Sequence, residues 1–480
     1  MTREAAVLAT LVLYKCALIA IGLYCRRRTH DIDDFYLGGR SLGPLVASLS
    51  ASASSSSAWT LLGVSGAAYA WGVSALWLLP GCVGGFVLNW YLLAPRLQRW
   101  SRQCGAVTVT DLLAGGAAAG WQRLLSASSS AIILLSLGVY VASQFQGAGK
   151  TLAGTFGLPL ETSILVGAAI VVAYTMLGGF WAVSVTDTLQ GTLMATAAIL
   201  LPLAGLVAVG GPFELVERLS HAEAGAYLDP GRGMAWFPAA GFIVGLLGIG
   251  LGYPGQPHVV NRFMALTDRP GAVRDARRLA IGWALIVYSG MLLLGFCGRV
   301  LSPGLADPEL VFIRLSNDLF PPMVSGILLA AVLSAIMSTV DSQLLVASST
   351  VSHDLGLGAG LRWSPLARSR VVVLALSAAA VAAALVGPQE IFSRVLFAWA
   401  AMGSAFGPLL LTLSFGRRVP PSRRLWSIAA GFVLSVAAYY LIPDGHPWKG
   451  CWERVIPFLA AGLIALSPRL RTRTPVNSSV

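Results

Sequence analysis

Apolar runs of about twenty residues, the length at which a helix crosses the hydrocarbon core of a bilayer, recur along the whole chain between short polar segments. Reading each run as one helix predicts thirteen spans, over residues 4–25, 45–70, 73–95, 123–148, 158–178, 189–209, 235–257, 279–301, 321–349, 370–388, 391–415, 425–442 and 452–467. The first run has no basic n-region before it, which predicts a retained span rather than a cleaved signal peptide. An odd number of spans puts the two termini on opposite sides of the membrane. With the N-terminus outside, 23 of the 33 Lys and Arg residues fall on inside segments, as the positive-inside rule requires. One span more or fewer would scramble that bias. The longer polar excursions are 96–122 inside, and 210–234 and 302–320 outside.

Composition agrees with this pattern. The 480 residues are 56% hydrophobic and only 11% charged, against about 25% charged in soluble domains. So few charges could not cover a water-exposed surface, whereas lipid solvates an apolar exterior. The chain therefore reads as one large helical bundle rather than a string of soluble domains. The net charge of +12 sits in short clusters between spans, such as Arg26-Arg27-Arg28, Arg274 with Arg277-Arg278, Arg417-Arg418 and Arg423-Arg424. These are topology signals, and they exclude nucleic acid as the partner. The six cysteines and five histidines are dispersed, without the spacing of a zinc site or a disulfide framework. The segment after Leu466 is short and basic, and no soluble output domain is expected from it.

Three spans depart from ordinary Leu/Ala/Val helices. The second carries Ser50-Ala51-Ser52-Ala53-Ser54-Ser55-Ser56-Ser57-Ala58-Trp59. Six hydroxyls in eight residues must face the bundle interior or a polar cavity, and they can satisfy backbone freed by a break. A continuous helix packed on small residues is the other reading. The ninth carries Ser334-Ala335-Ile336-Met337-Ser338-Thr339-Val340-Asp341-Ser342-Gln343. Positions 335, 338 and 339 share one helix face, so two hydroxyls stand beside a main-chain carbonyl, the neutral oxygens a hard cation such as Na⁺ takes. Asp341 is a carboxylate within a span, a functional candidate unless it reaches an arginine at the inner surface. The seventh ends Gly248-Ile249-Gly250-Leu251-Gly252-Tyr253-Pro254-Gly255-Gln256-Pro257, a run that should break a helix. Interrupted spans at related places in two halves of a chain point to a transporter site. The second and seventh spans are five apart, which fits two inverted five-span repeats, 45–209 and 235–415. Segment 1–44 precedes them, and 416–480 adds two peripheral helices and a basic cytoplasmic tail.

The motifs themselves are familiar. Asp34-Phe35-Tyr36-Leu37-Gly38-Gly39-Arg40-Ser41-Leu42-Gly43, Tyr174-Thr175-Met176-Leu177-Gly178-Gly179-Phe180-Trp181-Ala182-Val183-Ser184 with Thr186-Asp187-Thr188-Leu189-Gln190, Gly250-Leu251-Gly252-Tyr253 with Gly255-Gln256-Pro257-His258 and Arg262-Phe263-Met264, and Met337-Ser338-Thr339 with Ser342-Gln343-Leu344-Leu345-Val346 resemble, in order and spacing, the sodium/solute symporter family, most closely its sodium/proline branch. The resemblance implies an all-α membrane protein of inverted five-helix repeats with flanking helices (a LeuT-like core), working by alternating access in the plasma membrane. It implies a Na⁺ site formed by the main-chain carbonyls of Ala53, Ser56 and Ala335 and the hydroxyls of Ser338 and Thr339. It implies a solute pocket on Ser57, Trp59, Tyr140 and Tyr253, with Pro257 near the break, and assigns Asp187 to a loop acid that handles the cation. Two departures bear on specificity. Ser55 stands where proline carriers have an aspartate beside the Na⁺ site, which leaves a proton, with Asp341 as the titrating group, as an alternative coupling ion. Ile249 stands where they have a tryptophan against the substrate, with Ala58 for a neighbouring glycine, so an aromatic wall is expected to be missing.

The function that follows is Na⁺-coupled uptake of a small organic solute, an amino acid such as proline or else a carboxylate. Na⁺ is the one cofactor expected, with no organic cofactor, and the lipid bilayer is the other partner. The alternatives are an H⁺-coupled carrier and a symporter-like sensor or regulatory subunit. No nucleophile–base pair, metal cluster or phosphate loop suggests an enzyme. The oligomeric state is not legible.

Overall fold

Backbone amides inside a bilayer find no water, so a chain crossing it must bond them within each segment, and helices result. The computed structural model, which describes residues 3–25, 36–176, 180–222, 225–357, 365–388 and 390–467, is helical throughout those residues apart from loops and one short parallel bridge between Leu42 and Leu266. Asp34, Phe35, Leu177, Gly178 and Gly179 of the quoted motifs lie outside the described residues, as do Arg26–Arg28, Arg362 and the basic tail from 468.

The helices used below are α1 (Arg3–Cys25), α2 (Pro44–Ser55), α3 (Val64–Trp71), α4 (Val109–Ala114), α5 (Ala119–Phe156), α6 (Leu160–Thr175), α7 (Phe180–Val209), α8 (Trp236–Leu247), α9 (Pro257–Ala265), α10 (Ala272–Leu301), α11 (Pro322–Ser349) and α12 (Ile391–Ser414). Among the described residues, ten stretches are long and apolar enough to cross a membrane, and Leu160–Thr175 is a shorter apolar helix. The 45-residue stretch Trp59–Gln103 turns at Gly72, whose φ of 63° and ψ of −142° suit glycine. A Cβ there would lie 2.0 Å from the Tyr227 carbonyl oxygen.

Burial sorts the bundle into layers. The apolar window of α11 is 83% buried and that of α12 is 89%, against 22% for α1 and 28% for both Ala367–Val386 and Pro421–Leu441. The first pair therefore forms the centre, and the others present their apolar sides outward, where lipid would lie. Around α11, α2 packs on α7, α9, α10 and α11, and α12 packs on α5 and on the segment Gly248–Gly255.

Two of these helices are interrupted side by side. Pro44 opens α2 at its first turn, where a missing N–H costs nothing. The helix ends at Ser55; Ser56 takes φ −119° and ψ 86°. Helical structure resumes with a π-helical turn, Trp59–Gly63, that runs into α3. In the second interrupted helix, α8 tightens into a 3₁₀ segment over Gly248–Gly255. Gln256 is extended (φ −94°, ψ 102°), and Pro257 restarts the helix as α9. The serine run of the second span is thus broken rather than continuous, and α9 carries the seventh span beyond its expected end at 257.

Candidate functional site

At the serine break, main-chain groups freed from α2 find partners on other helices. The Ala58 amide donates to Gln144 Oε1 of α5 at 3.0 Å. The Ala53 carbonyl accepts from the Ser56 amide at 3.1 Å and from the Ser338 hydroxyl at 3.2 Å. Ser338 also reaches the Ala335 carbonyl at 3.2 Å, and the Thr339 hydroxyl donates to the Ser54 carbonyl at 3.2 Å. All of these residues are buried. The five residues expected to hold a cation, Ala53, Ser56, Ala335, Ser338 and Thr339, are therefore brought together where α2 breaks against α11. The cluster offers neutral oxygens only, which fits a hard monovalent ion. Ser55 is not part of it: its hydroxyl folds back to the Ser52 carbonyl of its own helix at 2.9 Å.

On one side of this cluster lies a buried polar plug. Asp187 Oδ2 accepts from Ser50 at 2.7 Å, Ser54 at 3.1 Å and Arg262 Nη2 at 3.0 Å. Arg262 also donates to Ser50, Ser342 and the His258 carbonyl. The pair is essentially inaccessible, at 1% and 0% side-chain exposure, so each charge depends on the other. Asp187 was expected in a loop. It lies inside α7, which starts at Phe180 rather than at 189. The polar run Ser184–Asp187 lowers the hydropathy of that turn, but its polar atoms face protein, so the helix continues. Asp341 is also fully buried. It accepts a hydrogen bond from Thr175 and, among the described residues, makes no ion pair with an arginine and leaves its Oδ2 without a hydrogen-bond partner. One turn away, Met337 receives the Lys15 ammonium of α1.

On the other side is an aromatic enclosure. Tyr140 donates to the Ser57 hydroxyl at 3.3 Å, and the Trp59 amide donates to the same oxygen at 3.2 Å. The Trp59 ring lies 5.4 Å from Phe392 and 6.4 Å from Tyr288, and the Tyr288 and Tyr253 hydroxyls are 3.0 Å apart. Ser57, Trp59, Tyr140, Ile249, Tyr253 and Pro257 are all buried around the two breaks. An aromatic ring nonetheless lies close to the main chain at residue 249, that of Trp399 of α12. Its indole N–H donates to the Ile249 carbonyl at 3.1 Å, and its ring meets Tyr253 edge-on at 4.6 Å. The main chain at 249 is thus bonded, and Tyr253 is faced, by an aromatic residue supplied from another helix. Trp59 Nε1, Gln144 Nε2 and Gln256 Oε1 are buried without hydrogen bonds, a costly state that a polar ligand would relieve.

A third cluster covers the enclosure. Lys150 pairs with Glu309 at 2.5 Å and Asp307 at 2.7 Å. Glu309 accepts from the amides of Ile391 and Phe392, the start of α12. Burial pushes the Glu309 carboxyl above its usual range, against the pull of Lys150. Because Phe392 packs on Trp59, this ion cluster closes the end of the enclosure opposite the plug. Sequence reasoning missed Trp399, Tyr288, Phe392, Gln144, Lys150 and the role of Arg262. Of these, Lys150 and Arg262 carried a signal, a charge at the edge of an apolar run.

Comparison with known proteins fits this geometry. The description "sodium:solute symporter family" matches residues 35–431. The sodium/proline symporter of Salmonella typhimurium is 36% identical over 95% of this chain and 91% of its own length. The osmoregulated proline transporter OpuE of Bacillus subtilis is 34% identical over 98% and 96%. Among solved structures, a substrate-bound, outward-open Na⁺-coupled sialic acid symporter superposes with a TM-score of 0.76 at 18% identity, covering 96% of this chain and 97% of that one. Mhp1, a nucleobase-cation-symport-1 family transporter in a closed conformation, gives 0.58 at 13% identity over 91% and 95%. The two structures share the fold of this chain.

Proposed function

The chain belongs to the sodium:solute symporter family, and from that premise we propose that it couples inward Na⁺ flow to uptake of proline by alternating access. The observation that carries this reading is the juxtaposition of an all-oxygen cluster at one helix break with an aromatic, polar-lined enclosure between both breaks. Relatives at 34–36% identity over nearly the whole chain are proline transporters by name, which favours proline over other amino acids and carboxylates.

Na⁺ would be held by the carbonyls of Ala53, Ser56 and Ala335 and the hydroxyls of Ser338 and Thr339. Those hydroxyls now donate to the Ala53 and Ser54 carbonyls. An ion between them would turn their lone pairs inward and replace hydrogen bonds by ion–oxygen contacts, fixing α2 against α11. The same break shapes Ser57 and Trp59, so ion binding prepares the solute pocket. By linkage, solute must tighten Na⁺ to the same degree. The solute ring would lie against Trp59, Tyr253 and Trp399, with its charged groups near the half-helix ends. The Lys150 cluster and the Asp187–Arg262 plug would open in turn.

The topology follows the same reading. On this reading Gly72 divides Trp59–Gln103 into two spans, and Leu160–Thr175 and Cys451–Leu466 would bring the ten long stretches to thirteen. The N-terminus is outside and the tail cytoplasmic, with inverted repeats at 45–209 and 235–415. No organic cofactor takes part. Proteoliposomes loaded with an imposed Na⁺ or H⁺ gradient test this: labelled proline should accumulate with Na⁺ and stop when an ionophore collapses that gradient. Accumulation with H⁺ alone would reassign the coupling ion, and binding without accumulation would make the protein a sensor.

A further inference from the structure

At the end of the bundle that the charge bias gives to the cytoplasm, a cluster of three side chains takes no part in the solute site. Helix α4 is a short, tightly capped element. Thr108 accepts from the Asp111 amide at 3.1 Å, and Asp111 Oδ2 accepts from the amides of Val107 and Thr108 at 3.0 Å each. This capping box fixes the direction of the Asp111 carboxylate. Opposite it, α11 continues through a π-helical turn, Thr350–Asp354. His353 Nε2 lies 3.2 and 3.3 Å from the two Asp111 oxygens. Asp354 Oδ1 accepts from Thr108 at 2.8 Å, while its buried Oδ2 has no close hydrogen bond among the described residues, with the Thr110 hydroxyl near the carboxylate. One ligand atom from each of Asp111, His353 and Asp354 lies within 4.8 Å of the other two.

We propose that Asp111, His353 and Asp354 form a divalent transition-metal site that ties α4 to the end of α11. Two carboxylates and one imidazole bring two negative charges to one point, which a dication neutralises and a lone His353–Asp111 pair does not. One nitrogen and two oxygen donors suit first-row ions such as Mn²⁺, Co²⁺ or Zn²⁺ better than Mg²⁺ or Ca²⁺, which take oxygen alone, or Cu⁺, which prefers sulfur. The free Asp354 oxygen is the donor that the hydrogen-bond network leaves over. Access is available, since Asp111 and His353 line a cavity of about 760 Å³ together with Gln122, Cys104, Arg417 and Arg424. Water in that cavity can complete the coordination shell.

The position gives the site a consequence. Thr339 and His353 lie on one continuous helical run, about 21 Å apart at 1.5 Å per residue. A metal that locks the end of α11 to α4 therefore restrains the helix that carries Ser338 and Thr339. Occupancy should slow turnover without touching the ion or solute ligands. This second step rests on the transport reading above; the metal site itself does not.

The test uses the purified full chain with Co²⁺ and Zn²⁺ alone as probes. Wild-type protein should bind one Co²⁺ with the visible bands of a low-symmetry site, and Zn²⁺ should raise its unfolding temperature. His353→Ala and Asp354→Asn should each weaken binding by at least about 10–100-fold, the loss seen when only an outer-shell partner is removed, and abolish the thermal shift. Cys104→Ser should leave binding intact. The variants' unfolding temperature without metal, and their Na⁺-dependent proline binding, report whether they fold. Stoichiometric binding that survives both substitutions, or none in wild type, would overturn the site. In proteoliposomes, Zn²⁺ on the cytoplasmic face should slow wild-type uptake several-fold and spare His353→Ala. Tight binding with no slowing would overturn the clamp and leave the transport reading untouched.

Discussion

The two helix breaks lie against each other yet are built from opposite chemistry. Around Ser56, the chain leaves its helix among hydroxyls, and Gln144, Ser338 and Thr339 reach in from other helices to bond the freed main-chain groups. Around Gly248–Gly255 the Trp399 indole bonds the Ile249 carbonyl and Gln256 bonds the Gly252 carbonyl, but the neighbours come in mainly as surfaces. A Cβ on Gly250 would lie 2.5 Å from the Gly81 carbonyl oxygen, one on Gly252 2.1 Å from Trp399 Nε1, and one on Gly255 2.5 Å from the Met402 carbonyl oxygen. The difference separates two tasks. Hydroxyl-bridged carbonyls can exchange a hydrogen bond for an ion at small cost. Backbone packed on backbone cannot shift without losing dispersion contacts along its whole length. One break is therefore suited to hold a ligand, and the other to hold its shape.

The comparison can be broken at its hinge first. Asp187 bonds Ser50 and Ser54 before the serine break, and Arg262 follows the glycine break, so their ion pair joins the two inner halves. Arg262→Met should cost about 3–5 kcal/mol, because it leaves a buried carboxylate uncompensated; denaturant unfolding in detergent checks this. A loss below about 1 kcal/mol would show that the halves are held by something else. Gly255→Ala comes next, at about 1–3 kcal/mol for overpacking against fixed backbone. Its unfolding temperature should fall equally with and without Na⁺, since shape and not ion binding is damaged.

Smaller effects sharpen the division. Trp399→Phe keeps a ring on Tyr253 but removes the hydrogen bond to the Ile249 carbonyl. That bond is made within the protein, so its loss should lower stability by about 1 kcal/mol in denaturant unfolding, with little change in Na⁺ dependence. Ser56→Ala should cost at most about 1 kcal/mol in stability, the worth of one hydrogen bond, because its buried hydroxyl is held at most by Tyr288 and the proposed ligand is its carbonyl. A large rise in the Na⁺ requirement of Ser56→Ala would mean that the side chain, not the backbone, meets the ion.

What could be read in the sequence was local. Hydroxyls at 338 and 339 beside the carbonyl of 335 follow from helix periodicity alone, and the Gly/Pro run announces its own break. The apolar runs located nearly every long helix. The onset of α7 was misplaced because a hydropathy reading treats polar residues as outside the membrane, whereas Thr186 and Asp187 face protein. Pairings between distant segments were not legible. Asp187 and Arg262 are 75 residues apart, and Trp399 and Ile249 are 150 apart. Trp399 stands in an ordinary Ala/Phe/Leu span with nothing beside it to mark a pocket. The absence of an aromatic at 249 was visible; the approach of Trp399 from α12 to the Ile249 carbonyl was a fact of three dimensions.

The central claim is that the serine break is where ion and solute are coupled. Proline affinity measured against Na⁺ concentration, in wild type and in Ser338→Ala with Thr339→Ala, tests it most directly. The account predicts that Na⁺ tightens proline binding in wild type. In the double variant the Na⁺ concentration needed should rise by at least about tenfold, about 1.4 kcal/mol, while the protein stays folded and proline still binds at saturating Na⁺. An unchanged Na⁺ dependence in a folded double variant would place the coupling ion elsewhere and contradict the account.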